Sequence, residues 1–134
     1  MRVVFLLLVS LFVFSSCEDD QNSGKNTNLL MGNWYLMKFQ YSIQPDNEFN
    51  ENDILWKIEE EDIVVSVNAA LYLYEVKVPL ARGGVFPYAI DVNSKKITFE
   101  DYTYDYEFIS EDELYLKEVG YVDGRRITLK RVEE

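Results

Sequence analysis

The chain reads as an all-β protein, a single small antiparallel up-and-down β-barrel of about eight to nine strands. Three observations predict it. Apolar residues recur at every second position through most of residues 29–134. Turn-forming clusters such as Asp46-Asn47, Asn93-Ser94 and Asp123-Gly124 separate these runs, and no stretch between them holds a helical period for longer than a turn. Short antiparallel strands at this spacing build a sandwich or a barrel, and closure is favoured because it removes exposed sheet edges.

The first 28 residues do not share this pattern. Arg2 is followed by the apolar or small residues Val3 to Phe14 and then by Ser15, Ser16 and Cys17. A basic start, a hydrophobic centre and small residues at a cleavage point make residues 1–16 a signal peptide. The apolar run is shorter than the roughly 17–25 residues that a membrane-spanning helix needs. Phe14-Ser15-Ser16-Cys17 resembles the bacterial lipobox, with Phe where leucine is commonest. That resemblance implies that Cys17 is acylated on sulfur, as with palmitate, becomes the first residue after cleavage, and is acylated again on its amine. Each buried methylene contributes about 0.8 kcal/mol, so two chains anchor a protein stably. The alternative is a free or disulfide-bonded thiol, but the chain has no second cysteine to pair with.

Glu18, Asp19 and Asp20 follow the cysteine. They resemble the export signal that sends lipoproteins of Bacteroidota-type bacteria to the outer face of the outer membrane; the plainer reading is solvated charge beside a tether. Gln21 to Asn28 is polar throughout and cannot bury enough apolar surface to order itself, so residues 17–28 are expected to be a lipidated cysteine and a disordered tether. This leaves residues 29–134 as one domain, long enough to build a core without disulfides. Removing residues 1–16 leaves 12 basic residues against 24 acidic ones. Nucleic acid is therefore not an expected partner, because it is bound by concentrated Lys and Arg.

Within the domain, Leu29 to Trp34 is an apolar turn leading into a strand, and Tyr35 to Ile43 is rich in the aromatic and branched residues that favour strands. Pro45, Asp46 and Asn47 open a loop that runs to Asn52. Ile54, Trp56 and Ile58 alternate, Glu59 to Asp62 turn, and Ile63, Val65 and Val67 alternate again, which is a β-hairpin. Leu71 to Val78 is expected to be a longer strand covered on both faces. Pro79 to Pro87, with Gly83-Gly84, breaks the pattern and reads as a mobile loop. Tyr88, Ile90 and Val92 resume alternation, and Ile97 and Phe99 return after a turn. Tyr102, Tyr104, Tyr106 and Phe108 share one face opposite Thr103, Asp105 and Glu107. Ser110 to Glu113 turn, Leu114 and Leu116 start another strand, and Asp123-Gly124 is a hairpin signal before Ile127, Leu129 and Arg131.

Gly32-Asn33-Trp34 at the head of the first strand, with a meander ending in Ile127-Thr128-Leu129-Lys130-Arg131, resembles the lipocalin-like lipoproteins of Bacteroidota. The resemblance spans roughly residues 29–132. It implies an eight-stranded antiparallel barrel in which Trp34 plugs one end and Arg131, or failing that Arg126, packs over it. The helix that follows the barrel in larger lipocalins, and their second and third signatures, are missing from this sequence.

The residue inventory narrows the chemistry. With no histidine and one cysteine, the chain offers neither a His- or Cys-based metal site nor a His-based acyl-transfer triad. The acidic runs Glu59 to Asp62 and Glu111 to Glu113 sit at turns and do not match a calcium-loop spacing, so they read as solvated turn charge. No metal, no cofactor and no catalytic residue are expected. Trp56, Tyr72, Tyr74, Tyr88, Tyr104 and Tyr106 are the candidates to line a ligand cavity, with rings for contact and polar tips for orientation. The same residues would equally fill a solid barrel. Three functions of different kinds follow. The first is a membrane-anchored outer-membrane lipoprotein, on the cell surface or the periplasmic face, holding a small hydrophobic or amphipathic ligand; the second is an envelope protein-protein interaction module or inhibitor; the third and least favoured is an enzyme with a glycosidase-like carboxylate pair that folding brings together.

Overall fold

The structure, a computed structural model, describes residues 29–68 and 78–133. The predicted signal peptide, Cys17, the acidic triplet, the tether, and most of the expected strand from Leu71 lie outside these residues. Every element among the described residues is a strand: β1 (Gly32–Gln40), β2 (Asn47–Glu48), β3 (Ile54–Ile58), β4 (Asp62–Val67), β5 (Gly84–Pro87), β6 (Ala89–Asp91), β7 (Lys96–Phe99), β8 (Tyr102–Ser110), β9 (Glu113–Glu118) and β10 (Arg126–Arg131).

Nine strands form one antiparallel path in the order β5-β4-β3-β1-β10-β9-β8-β7-β6, and β2 adds to the free half of the β1 edge. The path curls into a nearly closed barrel with one unsealed seam. Its two end strands, β5 and β6, are neighbours in sequence, separated by Tyr88. Tyr88 is fastened to the β3–β4 turn, its backbone N–H donating to the Glu61 carbonyl at 3.2 Å and its hydroxyl to the Glu59 carbonyl at 2.7 Å. The chain thus crosses the seam covalently, pairing with β4 through β5 and with β7 through β6. Gly84–Pro87 is therefore strand, where the sequence reads as loop. Pro87, opposite Asp62, occupies an edge strand, the place in a sheet where a missing N–H does least harm.

Alternation decides which side chains enter the core. Ile54, Trp56 and Ile58 of β3, Ile63 and Val65 of β4, Ile97 and Phe99 of β7, Leu114 and Leu116 of β9, and Ile127 and Leu129 of β10 are all buried. β1 departs from period two. Trp34 and Leu36 point inward, but the next buried residue is Phe39, because the register against β10 slips between Leu36 and Lys38. One extra residue in a strand moves the following side chains to the opposite face. β1 ends at Gln40, earlier than the composition suggests, and Ile43 is left 95% exposed in the connection beyond it.

The first and last strands, paired along their backbones, are further tied by one side chain. Arg131 is the cross-strand neighbour of Trp34, and its guanidinium lies 4.1 Å from the indole ring centroid. It also donates to the carbonyls of Glu111 at 3.1 Å, Met31 at 3.2 Å and Leu29. Trp34 itself is fully buried and donates its indole N–H to the Leu30 carbonyl at 2.8 Å. Gly32 sits in the same cluster with φ +126°, and a Cβ there would fall 3.1 Å from Arg131 Nη1. Both the backbone angle and the space call for glycine.

Two substitutions test this end of the barrel. Arg131→Ala is expected to destabilise the fold by about 2 kcal/mol, since charge-assisted bonds to three carbonyls are lost with the ring contact. In a Trp34→Leu background the same change should cost about 1 kcal/mol less. Urea unfolding of the four proteins gives the coupling, and equal losses in both backgrounds would rule it out.

Candidate functional site

The strand registers separate the two ends of the barrel. The start of β1 pairs with the ends of β10 and β3, whereas Gln40 at its other end pairs with Arg126 at the start of β10. The eight steps along the nine residues of β1, at about 3.3 Å each, put roughly 26 Å between these ends. Leu29, where the described chain begins, is at the Trp34 end. At the far end three connections meet: the chain after Gln40, the turn at Glu100-Asp101, and the loop Val119 to Arg125. Backbone bonds tie them together, Ser42 N–H to the Asp123 carbonyl at 3.1 Å and Val119 N–H to the Thr103 carbonyl at 2.9 Å.

Arg125 is the centre of this end. Its guanidinium lies 3.7 Å from the Tyr102 ring centroid and 5.2 Å from that of Tyr41. Its Nη1 is 3.3 Å from Glu118 Oε1, and its backbone N–H donates to the other carboxylate oxygen at 2.9 Å. The Glu118 side chain is 7% exposed and that of Arg125 13%. Removing two charges from water costs several kcal/mol per ion, so such a pair persists only where both partners are well bonded. The bidentate use of Glu118 and the tyrosine faces around Arg125 meet that requirement.

Above the pair lies a cleft of about 530 Å³, bordered by Tyr41, Tyr102, Tyr121, Asp123, Glu118 and Arg125 among others. Tyr121 and Val122 on its rim are 67% and 86% exposed. Gly124 closes one side tightly: a Cβ there would lie 3.0 Å from Glu118 Cβ and 3.1 Å from Tyr121 Cβ.

The sequence-predicted cavity residues sit elsewhere. Trp56 and Tyr104 are completely buried and Tyr106 nearly so. Phe99 links the first two, stacked on Tyr104 at 4.7 Å and edge-on to Trp56 at 5.6 Å. With no accessible surface on Trp34, Trp56 or Tyr104, no water-sized void touches them. Tyr88 and Tyr106 border separate clefts of about 490 and 360 Å³. Tyr72 and Tyr74 lie outside the described residues. Among the described residues, no group of three acidic, His or Cys side chains is placed to hold a metal ion.

Among the described residues, the buried indole N–H of Trp56 and the buried hydroxyls of Tyr104 and Tyr106 have no hydrogen-bond partner. Burial pushes the Tyr104 phenol well above its ordinary value, against a smaller opposing effect of Arg125. Tyr106 is also raised by burial, with Asp91 adding to the effect.

The sequence reading passed over Tyr41, Glu118, Tyr121 and Arg125. One signal was available for Glu118, which continues the inward parity of Leu114 and Leu116. A carboxylate at a core position needs a partner nearby.

No protein-family model matches the chain, and no curated protein does. A crystal structure of an uncharacterized protein from Bacteroides eggerthii DSM 20697 is similar, at 12% identity and a TM-score of 0.48, covering 76% of this chain and 98% of that one.

Tyr104 carries a prediction in two parts. Tyr104→Phe is expected to raise stability at neutral pH by about 1 kcal/mol, because a buried, unpartnered hydroxyl is removed. The second part concerns alkali. The unfolded phenol ionises near pH 10 while the folded one keeps its proton, so stability is intact below pH 10 and falls as the pH rises beyond it. Tyr104→Phe should reduce that fall by about 1.4 kcal/mol per pH unit, read from urea midpoints between pH 9 and 11.5. An unchanged slope would show that Tyr104 ionises freely.

Proposed function

We propose that the chain is an outer-membrane-anchored lipoprotein, held by acyl chains on Cys17, whose lipocalin-like barrel binds a small amphipathic ligand at its far end. The observation that carries this reading is the cleft over Arg125. It has ring faces for apolar contact, a few fixed polar groups, and a volume within the roughly 300–1,000 Å³ of small-molecule sites. The packed interior around Trp56, Phe99 and Tyr104 argues for binding at the mouth rather than inside the barrel. On this reading the protein binds and does not catalyse. A second reading, an envelope interaction module that engages a protein with the same end, draws support from the exposure of Ile43, Tyr121 and Val122.

Three measurements test the proposal. Cys17→Ala in the full chain should move the protein from the membrane fraction to the soluble one; unchanged retention would refute lipid anchoring. Replacing Glu18, Asp19 and Asp20 with alanine should remove protease accessibility on intact cells if they direct surface display. Native mass spectrometry of the chain from its own envelope should reveal a small molecule that Tyr121→Ala loses. A co-purifying protein lost in the same variant would select the second reading.

A further inference from the structure

We infer that the ligand of the far-end cleft is a neutral saccharide. The inference rests on the binding reading above and follows from what the lining accepts. The cleft offers two kinds of surface side by side. Tyr41 and Tyr102 are each a little over one-third exposed and Tyr121 is more so, which presents aromatic rings. The same lining includes the polar residues Ser42, Asp123, Glu118 and Arg125. A ligand must cover rings and satisfy hydrogen-bonding groups at once.

Other ligand classes each leave a conflict. A wholly apolar chain would cover Arg125, Glu118 and the hydroxyls without replacing their water contacts, and unsatisfied polar groups are costly. An anion would find one guanidinium, already engaged by Glu118 at 3.3 Å, and would meet the Glu118 and Asp123 carboxylates on a chain of net charge −11. A quaternary ammonium ion would seek several tyrosine faces at once, but Arg125 is already placed over those of Tyr41 and Tyr102, which leaves the ion a single ring, Tyr121, rather than an aromatic cage.

A pyranose ring avoids all three conflicts. Its C–H face packs on an aromatic ring, its hydroxyls both donate and accept, and it carries no charge. The Arg125–Glu118 pair, fixed by its own bonds and neutral as a unit, forms the floor against which those hydroxyls are read. Tyr121, the most exposed of the three rings, is the stacking platform.

The test uses the full lipidated chain in nanodiscs, free of sugar-based detergent. Calorimetric titrations would compare neutral hexasaccharides of glucose, mannose and xylose with trigalacturonate, octanoate and choline. At least one neutral oligosaccharide is expected to bind. Tyr121→Ala and Tyr41→Ala should each weaken that binding about tenfold or more, equivalent to about 1.4 kcal/mol. Tyr121→Trp should restore it, and Tyr115→Ala, on a different cleft, should leave it unchanged. Because Tyr121 is exposed, its variants test recognition rather than folding. If octanoate, choline or trigalacturonate binds with sensitivity to Tyr121→Ala and no neutral sugar does, the saccharide inference falls while far-end binding stands. If nothing binds with that sensitivity, both fall.

Discussion

The contact on which the rest of the barrel depends is the one Arg131 makes with Trp34 and the backbone around it. A meander brings its first and last strands together only at the end of the chain, and each pairing over that separation carries a loop-closure cost. Here the closing pair is β1 with β10, and Arg131 binds the carbonyls of Leu29 and Met31 on one side and of Glu111 on the other. A guanidinium suits this place because it offers five donors in a fixed plane and stacks on an aromatic face at the same time. Lysine would supply the charge without the fork. Gly32 completes the arrangement by leaving room beside Nη1, so the glycine and tryptophan of the Gly-x-Trp triplet have separate physical reasons to be there.

With that end fixed, the core follows from alternation, and this is why so much of it was legible. In β3, Ile54, Trp56 and Ile58 are buried while Lys57 faces water; β7, β9 and β10 obey the same rule. The rule fails where a strand gains a residue. After the slip past Leu36, the sequence Met37-Lys38-Phe39 no longer shows which side chain enters the core, and only the register against β10 decides for Phe39. It fails again at β5, where Gly84 and Pro87 are turn formers by composition and yet pair with Val65 and Asp62. Those residues are recruited by the exposed edge of β4, a tertiary demand that local propensity does not record.

The far end was legible in one residue. Glu118 stands at an inward position on β9, so its burial could be anticipated, but its partner Arg125 is the last residue of a seven-residue loop that has no period to read. Tyr41 and Tyr121 belong to connections, where side-chain direction is set by the particular bonds of the loop, such as that from Ser42 to Asp123. The strong Asp123-Gly124 signal is also only partly realised. It marks a turn, but the turn is one corner of the Val119 to Arg125 loop rather than a two-residue hairpin between β9 and β10. The additional residues put Tyr121 and Val122 at the rim.

In a barrel this narrow the proposed recognition falls to its ends. Eight or so strands enclose an interior that side chains can fill, and here two tryptophans, Phe99 and Tyr104 fill much of it. Large rings stiffen the walls and hold the three far-end connections at fixed separations, which is what a preorganised site on loops requires. The ion pair extends that stiffness outward. Each member of the Glu118–Arg125 pair would be costly to bury alone, so the loop is held to the conformation in which they meet. Tyr102 and Tyr41, packed on the same guanidinium, are oriented by it in turn. On the proposed reading, in which acyl chains on Cys17 hold the protein, the described chain enters beside Trp34, and the length of β1 separates that entry from the cleft.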